Sequence, residues 1–269
     1  MTMSDEIATF MLNIGVILAL MVAVWAISLA LRDAGIVDVF WGLGFAVIAL
    51  VTWATNPGYG ARAALIAGLT MLWGLRLGLY LFIRWYGEAH EDRRYAAMRA
   101  RRGPGFWWQS LYIVFGLQAA VMLIVSLPVQ FGIMAQAPAH LTLLDLVGAL
   151  IVLTGLAFES IGDAQLMVFK ADPANKGKVM DRGLWAWTRH PNYFGDALVW
   201  WGLFIIAFAA PALWWTALGP ALMTWFLISV SGKALLERGL RKTRPGYDDY
   251  VARTSGFIPL PPKRKRQPE

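Results

Sequence analysis

The chain has no cysteine, which removes disulfides, thiolate metal ligands and cysteine nucleophiles from consideration. It has three histidines, at positions 90, 140 and 190, too scattered for a metal-binding pattern, so no metal is expected. No glycine-rich phosphate loop follows a strand pattern, and there is no Walker loop and no H-E-x-x-H. Gly42-Leu43-Gly44 lies inside an apolar run and reads as a helix-packing feature. Charge is scarce: 15% of residues are Asp, Glu, Lys or Arg, against about 25% in soluble domains. Met1 to Glu6 carries Asp5 and Glu6 and no basic residue, so it lacks the positive start of a secretory signal.

What the chain has instead is apolar length. Of 269 residues, 58% are hydrophobic, and the mean hydropathy is +0.53. A membrane-crossing helix needs about 20 consecutive mostly apolar residues. Seven runs meet that description, roughly 8–31, 37–55, 63–86, 106–131, 141–165, 193–209 and 212–232. The expected fold is all-α, a polytopic membrane helix bundle of about seven transmembrane helices. The bundle spans residues 1–232 with polar loops at 87–105 and 170–192, and an amphipathic and basic tail occupies 233–269.

The 24 basic residues set the orientation. On one side, comprising the N-terminus, 56–62, 132–140 and the turn near Pro211, only Arg62 falls. Arg76 lies within the third run, and the others flank the opposite loops and the tail. That partition places the N-terminus outside and the C-terminus in the cytoplasm. Trp85, Tyr86, Trp107, Trp108, Trp185 and Trp187 crowd the span ends as interfacial belts do. The net charge of +7 is therefore read as membrane asymmetry and contact with anionic lipid, not as nucleic-acid binding. The basic run Lys263–Arg266 reads the same way, as a solvated tail or lipid contact.

Ionisable groups within spans cost roughly 2.5–3.5 kcal/mol each and mark candidate function. They are Asp38, Arg76, Asp145, Glu159, Asp163 and Asp196, all but Asp145 toward the cytoplasmic ends; Asp145 is expected at the outer interface. Glu159 and Asp163 share a helix face, and Asn192 and Asp196 repeat that spacing. Pro191 suits a first helical turn, whose free N–H groups, beside Arg189 and His190, form an anion site. Basic loops at 84–102 and 170–189 surround these residues and suit phosphates.

The segment Gly183-Leu184-Trp185-Ala186-Trp187-Thr188-Arg189-His190-Pro191-Asn192-Tyr193-Phe194-Gly195-Asp196 precedes Trp200-Trp201-Gly202. The tail carries Glu237-Arg238, Pro245-Gly246-Tyr247, Tyr250 and Arg253-Thr254-Ser255-Gly256-Phe257-Ile258-Pro259. Together with Val37-Asp38-Val39-Phe40-Trp41 and Glu91-Asp92-Arg93-Arg94-Tyr95, these residues resemble the steroid 5-alpha-reductase-like membrane family, in its uncharacterised bacterial branch. The resemblance covers about residues 37–262. It implies a seven-helix reductase that binds NADPH from the cytoplasmic side and reduces an activated carbon–carbon double bond in a lipid or steroid-like enone.

Carried over by position, Asn192 and Asp196 would hold the nicotinamide end or the ribose, with Glu159 and Asp163 beside them. Lys170, Lys178 and Arg182 would meet the phosphates, Arg189, His190 and Tyr193 would belong to the same cofactor site, and Glu237, Arg238 and Tyr247 would close the pocket. The chain departs from the steroid reductases where the substrate ketone is held: it lacks their Gln-Glu pair, and Trp73 stands where a tyrosine is expected. Asp38, Arg76 or Tyr80 is the expected electrophile.

There are two rival readings. Isoprenylcysteine carboxyl and phospholipid methyltransferases share the R-H-P-x-Y-x-G string and bind S-adenosylmethionine, which has no phosphate; the basic loops favour NADPH over it. A non-enzymatic lipid-binding protein could use the same fold, with polar groups near the bilayer midplane if it were a carrier. Expected partners are an apolar substrate and membrane lipid, in a bacterial inner membrane with the cofactor site facing the cytoplasm.

Overall fold

Long runs of Leu, Ile, Val, Ala and Phe favour helix wherever water cannot hydrogen-bond the backbone, because each peptide group is then satisfied within its own segment. The computed structural model, which describes residues 3–230, 237, 239–241 and 243–263, obeys that logic. All named elements among the described residues are helical, and the one β-bridge is isolated. Six helices are long and apolar enough to cross a membrane, as in a multi-pass integral membrane protein. They are Met3–Leu31, Ile36–Thr55, Gly60–Gly87, Arg93–Val125, Leu143–Ala171 and Pro211–Ser229. The sixth apolar run of the sequence is the helix Pro191–Ala207, whose 17 residues make it the shortest of these segments. The helices keep broad apolar faces uncovered: Leu72, Leu75 and Leu79, on one side of the third helix, are each more than half exposed. Contiguous leucine surface of that kind requires lipid around it.

Two expectations change. Residues 93–102 are not loop but a helix, and α1 (Met3–Leu31), α2 (Ile36–Thr55) and α3 (Gly60–Gly87) lead into this α4 (Arg93–Arg102). Asp92 caps it by accepting from the Arg94 N–H, and Gly103, at φ +60°, ends it. The run 106–131 is also not one helix. It holds α5 (Phe106–Ser110) and α6 (Leu117–Val125) and is broken at Ser126, because Pro128 lacks an N–H and its ring opposes the carbonyl four residues earlier; α7 (Leu127–Met134) starts anew there. Downstream come α8 (Leu143–Ala171), longer than the expected 141–165, then the short α9 (Leu184–Trp187), α10 (Pro191–Ala207) and α11 (Leu218–Trp225). A last helix covers Tyr247–Arg253.

The chain forms two compact units, one of Met1–Ala149 with Leu203–Gly219, the other of Leu150–Gly202 with Pro220–Glu269. In the first, α2 and α3 touch backbone to backbone through Gly42 and Gly74: a Cβ on Gly42 would lie 2.6 Å from the Gly74 carbonyl oxygen. Small residues are what let membrane helices approach so closely. Trp73 is fully buried and packs edge-on against Phe45, 5.6 Å between centroids, so the residue at the expected tyrosine position is core. A neutral polar row also runs through this core. Asn13 donates to Thr52 Oγ1 at 2.8 Å and Gln130 Oε1 at 2.9 Å, and Gln130 donates to Ser126 Oγ at 2.8 Å.

Asp145 and Arg62 are also buried in the first unit, at 1% and 0% exposure. Arg62 is not a loop cation. It donates through Nε and Nη2 to both Asp145 oxygens, at 2.7 and 3.0 Å, and to the Pro138 and His140 carbonyls. Asp145 further accepts from Thr142 N and Oγ1, so the pair is sealed inside protein.

Candidate functional site

In the second unit α8 and α10 close on each other as α2 and α3 do. A Cβ on Gly195 would lie 2.6 Å from the Gly155 carbonyl oxygen, and one on Gly155 would lie 2.5 Å from that of Gly195. This contact puts Glu159 directly against Gly195 and brings Asp163 beside the start of α10. Glu159 and Asp163 are 2% and 4% exposed. Asn192, in the first turn of α10, donates its amide to Asp163 Oδ1 at 3.3 Å. Tyr193 and Asp196 come next on α10, both half-buried. The i, i+4 pattern read from the sequence thus becomes a polar pair joining two helices.

The signature residues before α10 are bound to the tail. Arg189 donates to Glu237 through Nε at 2.9 Å and Nη2 at 3.3 Å. Its Nη1 donates to the Thr254 carbonyl at 2.6 Å and the Val251 carbonyl at 3.2 Å. His190 Nε2 lies 3.1 Å from Glu237 Oε1, and its ring stacks on Tyr193 at 5.3 Å. Main-chain bonds continue the join: Arg189 N to the Ser255 carbonyl, Leu260 N to the Trp187 carbonyl, and a parallel bridge between Thr188 and Ser255. Tyr250 donates its hydroxyl to the Trp185 carbonyl at 2.6 Å, and Arg253 pairs with Asp181 at 2.6 Å.

These contacts set the electrostatics. Burial alone would raise the Glu237 carboxyl, but the hydrogen bonds from His190 and Arg189 and the Arg189 charge outweigh it and hold it down at about 2. Burial, aided by the Glu237 charge, pushes Tyr247 up to about 12, and burial raises Tyr250 as well, so both phenols are neutral donors at any ordinary pH. Arg189 is saturated by a carboxylate and two carbonyls. Its placement is that of a clasp on the tail, not of an open phosphate ligand. Lys170 is exposed on the last turn of α8, and Lys178 and Arg182 are exposed in the segment after it. Arg238 lies outside the described residues.

The three expected electrophiles lie in the first unit. Asp38, in the first turn of α2, accepts from Arg94 Nη2 and from the Tyr95 hydroxyl, both at 2.6 Å. Arg76 and Tyr80 lie four residues apart on α3, both half-buried. Sequence reasoning misses the partners of Asp38, although both stand in the Glu91-Asp92-Arg93-Arg94-Tyr95 string. Burial alone would raise Glu91 and Asp92, but bonds from Arg99 and Ala34 lower the first and bonds from Arg94 lower the second. Asp38, Val39, Arg84, Trp85, Glu88 and Asp92 help line a small open cleft. No group of His, Cys, Asp or Glu among the described residues is arranged to hold a metal ion.

Residues 24–254 match the family described as "Protein of unknown function (DUF1295)", and the chain belongs to that family. No curated protein and no solved structure matches the chain.

Proposed function

Taking that family membership as premise, we propose that the chain is an NADPH-dependent membrane reductase of an activated carbon–carbon double bond in a lipid or steroid-like enone. The observation that carries the reading is the division of labour among cations in the second unit. Arg189 is consumed by Glu237 and the tail, while Lys178 and Arg182 are exposed in the segment that follows α8. A row of exposed cations is the donor set a polyphosphate needs, and S-adenosylmethionine has no phosphate to meet it. The amide and carboxylates of Asn192, Asp163 and Asp196 supply the mixed donors and acceptors that a carboxamide and a ribose require. The residues fit the dinucleotide.

When bound, the cofactor supplies hydride to the electron-poor carbon of the enone. The chain's part is to bind, orient and stabilise. Asn192 and Asp196 orient the nicotinamide end, Lys170, Lys178 and Arg182 hold the phosphates, and the clasp of Arg189, His190 and Glu237 keeps the start of α10 in position. The negative charge that develops on the substrate oxygen needs a hydrogen-bond donor. Of the three expected electrophiles, Arg76 and Tyr80 carry hydrogen-bond donors, whereas Asp38 accepts from Arg94 and Tyr95.

The topology that goes with this reading has seven crossings, with the 17-residue α10 as the sixth, since about 17 residues is the lower limit for a span. The N-terminus lies outside and the C-terminus in the cytoplasm, in a bacterial inner membrane. The buried Arg62–Asp145 pair supports this orientation, because it removes the one basic residue on the outer side from the count.

The test is thermal unfolding of the detergent-purified protein with NADPH, NADH and S-adenosylmethionine in parallel. A ligand specific for the folded state stabilises by about 2.7 kcal/mol at a hundredfold excess over Kd. A rise with NADPH, lost in the Asn192→Ala/Asp196→Ala variant, supports the reading. A rise with S-adenosylmethionine alone makes the protein a methyltransferase, and no rise with any ligand removes the enzyme reading.

A further inference from the structure

The ten residues of α4 contain five arginines, and the structure sorts them into two sets. Arg94 turns inward to Asp38 and Asp92, at 2.6 and 3.0 Å. Arg99 turns inward to Glu91 at 2.8 Å and lies over the Phe106 ring at 4.7 Å. Tyr95 and Met98 share that face, one buried and one half-buried. Arg93, Arg101 and Arg102 are exposed, as are Ala96, Ala97 and Ala100; Arg102 has a single long contact, 3.4 Å to Gln109 at the surface. The nearest carboxylates are already engaged: Glu91 by Arg99, Asp92 by Arg94, and Glu88 by Arg84 at 3.8 Å. The fully exposed charges of α4 are therefore all positive: Arg93 at its start, Arg101 and Arg102 at its end.

The residues after α4 fix its depth in the membrane. A helix with five arginines does not enter hydrocarbon, where each costs roughly 2.5–3.5 kcal/mol. Gly103-Pro104-Gly105 ends α4, and the chain then turns into the apolar stretch that leads to Val125. Trp107 and Trp108 open that stretch at 56% and 48% exposure, and exposed indoles at a span end mark headgroup level. Arg101 and Arg102, exposed and within seven residues of those indoles, lie where lipid phosphates are, and Arg93 stands exposed at the other end of the same helix.

We propose that α4 is an interfacial helix whose outer arginines, Arg93, Arg101 and Arg102, hold the phosphates of anionic phospholipids. The inner arginines anchor the helix to α2 and its flanking loops. The outer ones bind lipid, because guanidinium matches phosphate oxygens two at a time. This assignment stands apart from the reductase reading, since it concerns the first unit alone and needs no cofactor.

The experiment is lipid binding by the delipidated full-length protein, read by native mass spectrometry with phosphatidylglycerol, phosphatidylcholine and inorganic phosphate. The expected result is preferential retention of phosphatidylglycerol. Its affinity should fall about a hundredfold in Arg93→Gln/Arg101→Gln/Arg102→Gln, taking roughly fivefold per charge. The corresponding three-lysine variant, which keeps the charge, should retain most of it, and circular dichroism should report unchanged helix content. If the triple glutamine variant does not fold, the exposed single substitution Arg101→Gln reads the same effect at about fivefold. Wild-type phosphatidylglycerol binding by the glutamine variants overturns the proposal, as does equal binding of phosphatidylcholine or displacement of the lipid by free phosphate.

Discussion

Arg62 with Asp145 and Arg189 with Glu237 are the same chemical object, a buried guanidinium gripping a carboxylate in two places, set in different units and holding different things. The first ties the start of α3 to the chain between Pro138 and Asp145, and every polar atom of its guanidinium and carboxylate is bonded nearby. The second ties the start of α10 to a tail that begins about 50 residues later, and it includes His190 and faces Tyr247. Saturation, not sequence context, decides what a buried arginine does. In the sequence Arg62 looks like a stray outer charge and Arg189 like an anion ligand, and both are fastenings. The second includes a titratable imidazole, and its carboxyl is held well below the usual range by His190 and Arg189, so it should respond to acid.

The largest effect tests the first fastening. Arg62→Ala strands Asp145 without its countercharge and should destabilise the first unit by about 3–5 kcal/mol, read by denaturant unfolding in detergent. Adding Asp145→Asn should recover a large part of that loss. Equal instability of the single and double variants would mean the pair is not a coupled unit.

Next comes the pH response of the second. Glu237 titrates at about 2 when folded and near 4.5 when unfolded, so its contribution is complete above about pH 4.5 and is lost as pH falls toward 2. The loss should amount to roughly 3 kcal/mol, and Glu237→Gln should remove this segment of the stability profile. A glutamine variant with the wild-type acid profile would assign the acid sensitivity elsewhere.

Smaller effects should come from the helix contacts. Gly195→Ala forces a methyl against the Gly155 carbonyl and should cost about 1–3 kcal/mol in unfolding experiments. Gly68→Ala, on α3 with nothing within 4 Å of the added carbon, should be neutral or stabilising by up to about 1 kcal/mol.

These cases also show what the sequence can disclose. Apolar length announces the spans, and i, i+4 spacing announces the Glu159–Asp163 face that meets Asn192, because both are local patterns. The partners of Arg189 lie 48 to 65 residues away, and two of them are carbonyls that any residue carries, so no motif can name them. α4 reads as loop because its five arginines set it outside the apolar runs, although arginine, alanine and methionine all favour helix. The row of Asn13, Thr52 and Gln130 escapes a search for ionisable side chains within the spans, although neutral amides are just as bound to find partners there. Pro128 is visible in the sequence, but its cost is easily overlooked inside an otherwise unbroken apolar run.

If exposed loop cations rather than the signature arginine meet the cofactor phosphates, the decisive measurement is an NADPH titration of Lys178→Gln/Arg182→Gln beside the wild type. Both residues are exposed, so the unfolding free energy should change by less than about 0.5 kcal/mol. The expected result is unchanged stability and at least about tenfold weaker NADPH binding, from the loss of two charge-assisted bonds. Wild-type NADPH affinity in that variant would contradict it.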